Sequence, residues 1–330
     1  MHYTQNEDHR NHSTNNFRNH TISIKPAETH TQLLAYTMPT TIDLDSLNDP
    51  DATQGEADIF QILKQGLRSE GDHASVAAHL AESLRGFIHD QGARSLKVAN
   101  DLVWDLWVTL LRAITIVPID HPWHNCLIAT VDKLRREGGR IAPSDDVSDN
   151  VFPTVRAECL ANLLIRVRSG QTCLGFACTL STCGLRMNSF ASRLLVDDFK
   201  HWIDFAWWEI TVGLETAPQD PTEFEWRLWA VTEWLIQCDD LLFKDLSSTE
   251  ELQEEVLASV RPGPLCADVH PVSLQRWQFW ISRLMELSGG TYTVEGGSEV
   301  ALSATSISRI EMAIAAMRRN SSSSVAEHQS

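Results

Sequence analysis

The sequence predicts an all-α fold: a compact array of about nine or ten antiparallel helices between disordered ends. Three observations predict it. Apolar residues recur at i+3 and i+4 through most of the chain, capping residues and Gly or Pro stops punctuate these runs, and no stretch alternates with period two between hairpin turns.

Taken in order, residues 1–54 lack a sustained apolar period and read as a disordered N-terminal segment. Ile59, Ile62, Leu63 and Leu67 open a short helix that Gly71 ends, and Val76, Leu80, Leu84, Phe87 and Ile88 mark a second. From Ser95 to Val117 the set Val103, Leu106, Leu110 and Ile114 predicts a long amphipathic helix stopped by Pro118. Asp120-His-Pro-Trp reads as an N-cap with proline in the first turn, starting a helix to about Glu137 that Gly138-Gly139 finishes. An acidic loop over 141–153 precedes a helix from Thr154 to Arg168, and another spans Asn188 to Glu215 with a bend near Asp197.

Asp220-Pro-Thr-Glu223 and Ser248-Thr-Glu-Glu251 both have capping-box spacing, in which side chain and backbone amides satisfy each other. The first predicts a helix to about Lys244, the second one to about Val260, before Arg261-Pro-Gly-Pro264 breaks the chain. Helices over 271–287 and 303–319 complete a single domain from 55 to 319, and 320–330, with four consecutive serines, reads as a loose tail.

Composition narrows the function classes. The formal charge of −17 opposes general binding to nucleic acid or anionic membranes, whose surfaces repel such a chain. Residues 1–30 are rich in Asn, His and Thr and carry no apolar export signal. The run Leu106–Ile119 is interrupted by Thr109, Arg112 and Thr115, so it falls short of the ~20 apolar residues a bilayer requires. The odd count of seven cysteines suits a reducing compartment. The expectation is a cytoplasmic or nuclear protein, neither secreted nor membrane-bound.

Val103-Trp-Asp-Leu-Trp107, Ile116-Val-Pro118, His121-Pro-Trp123, Asn188-Ser-Phe-Ala-Ser-Arg-Leu194, Ala230-Val-Thr-Glu-Trp-Leu-Ile236 and Ser273-Leu-Gln-Arg-Trp-Gln-Phe-Trp280 follow one another in a distinctive order. Over roughly residues 100–290 the chain resembles a fungal, tryptophan-rich family of all-helical proteins catalogued as a domain of unknown function. The resemblance implies a fungal source and a helical fold and brings no activity with it; some relatives are encoded beside secondary-metabolite genes. The chain departs from the family between Gly170 and Met187, where a tryptophan-and-proline motif is expected and a Cys-rich stretch stands instead.

Several residue groups invite a chemical reading, and each has a plainer one. Asp239 and Asp240 are a carboxylate pair of the kind that holds Mg²⁺ against a diphosphate, but no second metal-binding helix follows. They read as solvated residues on a helix whose apolar side is Leu228, Leu235 and Leu242. Cys173, Cys178 and Cys183 lack the short paired knuckles of a zinc site and read as ordinary thiols. His121 and His124 lie at i and i+3 without an accompanying catalytic Glu, so Asp120 reads as the cap and the histidines as surface or hydrogen-bonded groups. Lys133, Arg135 and Arg136 close a helix, where cations offset its dipole. No nucleotide-binding glycine loop or nucleophile elbow occurs.

The eleven tryptophans are the strongest signal. Indoles bury much apolar area and need an acceptor for their N–H, so they suit wide interhelical seams; they also line ligand pockets. The candidate pocket residues are Trp104, Trp107, Trp207, Trp208, Trp229, Trp234, Trp277 and Trp280, with Glu209 and Glu233 supplying polarity, and Glu215 close by in sequence. The expected role is a non-catalytic binding or scaffold protein whose partner is an unknown protein or a small apolar molecule, with no metal or organic cofactor. A small-molecule enzyme or binder using a tryptophan-lined pocket is the alternative.

Overall fold

The computed structural model describes residues 42–137, 182–195, 203–249 and 252–327. Among them a 3-10 turn, Leu44–Leu47, precedes α1 (Gln54–Leu67), α2 (His73–Gly92), α3 (Leu96–Ile116) and α4 (Pro122–Glu137). Then come α5 (Thr182–Leu194), α6 (Ile203–Leu214), α7 (Pro221–Gln237), α8 (Asp239–Leu246) and α9 (Glu254–Ser259). A 3-10 turn at Pro264–Cys266, α10 (Leu274–Leu287), a hairpin of β1 (Thr291–Thr293) and β2 (Glu299–Ala301), and α11 (Ala304–Glu327) complete the order. The fold is all-α, as the periodicity predicts.

Local chemistry sets most of the helix starts. The hydroxyls of Thr53, Ser95 and Ser273 and the carboxylates of Asp72 and Asp220 accept amide hydrogen bonds at the first turns of α1, α3, α10, α2 and α7. At α4 the ring Nδ1 of His121 accepts the Trp123 amide at 3.2 Å, so His121 fills the role expected of Asp120. Leu44 is buried, so core residues begin well before position 55.

Helices α1, α2 and α3 pack on one another and α4 lies along α2, making an N-terminal half with an aliphatic core of Ile59, Leu63, Leu80, Leu84 and Leu110. Gly66 lets α1 approach α2 closely: a Cβ there would stand 2.5 Å from the Leu80 side chain. In the C-terminal half α7 is central, flanked by α5, α6 and α11, while α10 packs on α11, α8 and α6. Helix α5 also contacts α3 and α4 and joins the halves.

Beyond the cap of α4, five expectations need correction. The helix expected over 220–244 is two, divided at Cys238, whose thiol donates to the Ser192 carbonyl of α5 at 3.2 Å. The pair Asp239-Asp240 therefore opens a helix, and Asp239 is 9% exposed, facing Arg319 at 3.7 Å, rather than lying on a solvated side. The Ser248–Glu251 box does not start the next helix, which begins at Glu254. A two-stranded hairpin occurs where no strand is expected, because three-residue strands are too short to show a period. The last helix continues to Glu327, since extending a formed helix costs little compared with nucleating one. The expected helix over 154–168, the bend near Asp197 and the cysteines at 173 and 178 lie outside the described residues.

Candidate functional site

Two buried charges organise the tryptophan region, and each stands at the disfavoured end of its helix. Glu215 follows the last residue of α6, where the helix dipole is negative, and Arg276 occupies the first turn of α10, where it is positive. Both are 0% exposed. They face each other: Arg276 Nε donates to Glu215 Oε1 at 2.6 Å and Nη2 to Oε2 at 2.9 Å. This bidentate geometry offsets what neither helix end supplies.

The pair leaves no hydrogen-bonding capacity unused. Arg276 Nη1 donates to the carbonyls of Val260 at 2.5 Å and Pro271 at 2.8 Å, and Nη2 also donates to Thr211 Oγ1 at 3.1 Å. Those bonds use all five guanidinium N–H groups. Glu215 further accepts the Trp280 indole N–H at 2.7 Å and the Gly263 amide at 2.7 Å. The approach at Gly263 excludes a side chain, because a Cβ would lie 2.7 Å from the Glu215 carbonyl oxygen. The rings close the space around the pair. Trp207 meets Trp280 edge-on at 5.5 Å, Trp280 meets Trp277 at 6.0 Å, Trp277 meets Phe243 at 5.4 Å, and the guanidinium lies 4.9 Å from the Trp207 centroid.

A second polar seam crosses α5, α7 and α11. Glu233, 3% exposed, accepts from Ser189 Oγ at 2.8 Å and Arg309 Nη2 at 2.7 Å, with Arg309 stacked 4.1 Å over Trp229. Asn188 links two more of the expected residues: its Oδ1 accepts the Trp234 indole N–H at 2.7 Å and its Nδ2 donates to Glu209 at 3.3 Å. Trp208 is instead 41% exposed beside Arg227. Trp104 and Trp107 lie on α3, in the N-terminal half. The ten expected residues are therefore divided between these settings; the polar atoms of Trp234, Trp280, Glu209 and Glu233 are held by neighbours, whereas the buried indole N–H of Trp107 has no partner.

The family model described as "Protein of unknown function (DUF3632)" matches residues 104–284, more than half of the chain and including both members of the buried pair. The chain belongs to that family. No curated protein and no solved structure matches it. The family's stretch begins within α3 and ends within α10, so α1, α2 and α11 lie outside it.

The reactive side chains near the seam are quiet at neutral pH. Burial pushes the Cys238 thiol far up and the Cys266 thiol up to about 11, which keeps both protonated. His124 is 0% exposed; burial and then the Arg193 charge lower its pKa to about 4, so it is neutral. Among the described residues no group of three or more His, Cys, Asp or Glu is placed to hold a metal, and no helix is long and apolar enough to cross a membrane.

Sequence reasoning noticed Glu215 without ranking it and missed Arg276. A signal for both was present: an acid at a helix C-terminus and a base at a helix N-terminus, with Arg276 on the same stripe as Trp280, Leu284 and Leu287.

Proposed function

We propose that this protein is a non-catalytic binding or scaffold protein, acting in the cytoplasm or nucleus as an accessory of a fungal secondary-metabolite gene cluster. Residues 55–319 serve as the main part of its single helical domain. The observation that supports this reading is the closed hydrogen bonding of Arg276 and Glu215. The most deeply buried charges in the tryptophan region spend every donor and acceptor on the protein itself, tying α6, α10 and the 260–273 segment together. Catalytic groups, by contrast, keep a donor, acceptor or lone pair directed at a reactant.

Untargeted metabolite profiling of a strain lacking the protein tests the reading. The expected result is that no single precursor accumulates. One precursor that builds up, and disappears when the wild-type chain is restored, overturns the proposal in favour of an enzyme.

A further inference from the structure

Helix α4 opens on two histidines that the buried pair and its tryptophans do not use. His121 stands at its cap, where the ring Nδ1 accepts the Trp123 amide at 3.2 Å. The ring meets Trp123 edge-on at 5.1 Å, and the His121 carbonyl accepts the His124 amide at 2.9 Å. A ring nitrogen accepts only while the imidazole is neutral, because the protonated ring has two donors and no free lone pair. Protonation of His121 therefore removes the cap and sets a cation at the positive end of the helix dipole.

His124 follows three residues later and is 0% exposed, between α4 and α5. Its Nε2 faces the Arg186 carbonyl of α5 at 3.4 Å, which puts the ring proton there and leaves Nδ1 bare. That Nδ1 is buried and meets no hydrogen-bond partner among the described residues. A second ring proton would be a donor without an acceptor in a dehydrated seam. The adjacent Asn125 accepts from Arg193 Nη1 of α5 at 3.1 Å, so the same turn holds the same helix twice.

The groups facing the two rings from other helices mostly oppose a further positive charge. His73 of α2 faces His121, and Arg186 and Arg193 of α5 face His124. Glu233 of α7 favours a charged His124, but Ser189 and Arg309 already engage its two oxygens. Burial, followed by the His73 charge, also holds His121 below the ordinary histidine range.

We propose that His121 and His124 form a proton-operated latch, in which acid frees the first turn of α4 from α5 while the rest of the fold stays closed. Once the turn opens, each ring can take a proton that the closed seam refuses, so falling pH favours opening. Both rings act on one turn, because one caps it and the other anchors it. The latch involves neither Glu215 nor Arg276 and does not depend on the scaffold reading.

Hydrogen exchange of the full chain at pH 7 and pH 5, corrected for the intrinsic pH dependence of amide exchange, tests the latch. In the wild type, protection over residues 118–128 should fall about tenfold or more at pH 5, while α10 keeps its protection. His121→Asn, which caps without titrating, should retain about fivefold more protection there than the wild type at pH 5. His124→Gln keeps a donor for the Arg186 carbonyl and should remove most of the fall. In case it fails to fold, His121→Asn at the half-buried cap decides alone. The proposal is overturned by no fall in the wild type, by an equal fall in α10, or by either folded variant falling as the wild type does.

Discussion

Glu215 in the C-terminal half and Asp105 in the N-terminal half are both withdrawn from water, yet the protein treats them in opposite ways. Glu215 meets a guanidinium, an indole and a backbone amide. Asp105 meets one threonine hydroxyl, and its pKa is raised mainly by burial. The difference follows the composition of the two cores. The C-terminal half is built on tryptophans and arginines, whose polar atoms need acceptors, so carboxylates there complete the packing. The N-terminal half is built mainly on Leu, Ile and Val, which need nothing from an acid, and its one buried indole N–H, that of Trp107 among the described residues, has no partner; a carboxylate buried there remains an electrostatic cost.

The largest expected effect is at the matched pair. Arg276→Met leaves Glu215 buried without its cation and is expected to cost about 3–5 kcal/mol in urea unfolding. The double variant Glu215→Leu/Arg276→Met should lose clearly less than the sum of the two single changes. Additive losses would show that the pair is not one unit and would remove the contrast with Asp105.

In the aliphatic half the expected cost comes from a cavity. Leu80 is 0% exposed between α1 and α2, and Leu80→Ala should destabilise by about 3 kcal/mol without altering the pH dependence.

The junction between the halves adds a pH effect. His124 of α4 is buried beside α5, with Arg186, Arg193 and Phe190 near it and Glu233 contributing from α7. Its folded pKa of about 4 lies below the ordinary 6.5, so between those values the unfolded chain binds the extra proton. Its contribution to stability is complete above pH 6.5 and is lost as the pH falls towards 4, by at most about 3 kcal/mol. Chemical denaturation across that window should show a shallower acid decline in His124→Gln than in the wild type.

The smallest effect carries the opposite sign. Asp105→Asn keeps the side-chain oxygen for the Thr53 hydroxyl and removes the buried charge, so it should raise the urea midpoint at neutral pH slightly. Because the folded pKa of Asp105 is raised, that gain should shrink as the pH falls and the wild-type carboxyl is protonated. A loss of stability at neutral pH would mean that the two buried acids are compensated alike.

Much of the fold was legible because its signals are local. The Asp220 side chain does accept the Glu223 amide at 2.8 Å, as the capping spacing predicts, although Glu223 turns to Arg227 instead of completing the box. The kink at Cys238 escaped notice because it depends on a thiol meeting a carbonyl 46 positions earlier. The candidate site divides the same way. Burial of Trp277 and Trp280 follows from their i+3 spacing on an apolar stripe, whereas the partners of the N–H groups, Asn188 for Trp234 and Glu215 for Trp280, come from other helices.

By itself, then, the sequence determined the helices, most of their ends and the faces they bury, since caps, prolines and a 3.6-residue period act within a few positions of the chain. Only the tertiary structure decided which charges are neutralised. Glu215 and Arg276 are 61 positions apart, and nothing in either neighbourhood names the other. Electrostatic pairing depends on distance and dehydration, and both exist only after the helices have packed.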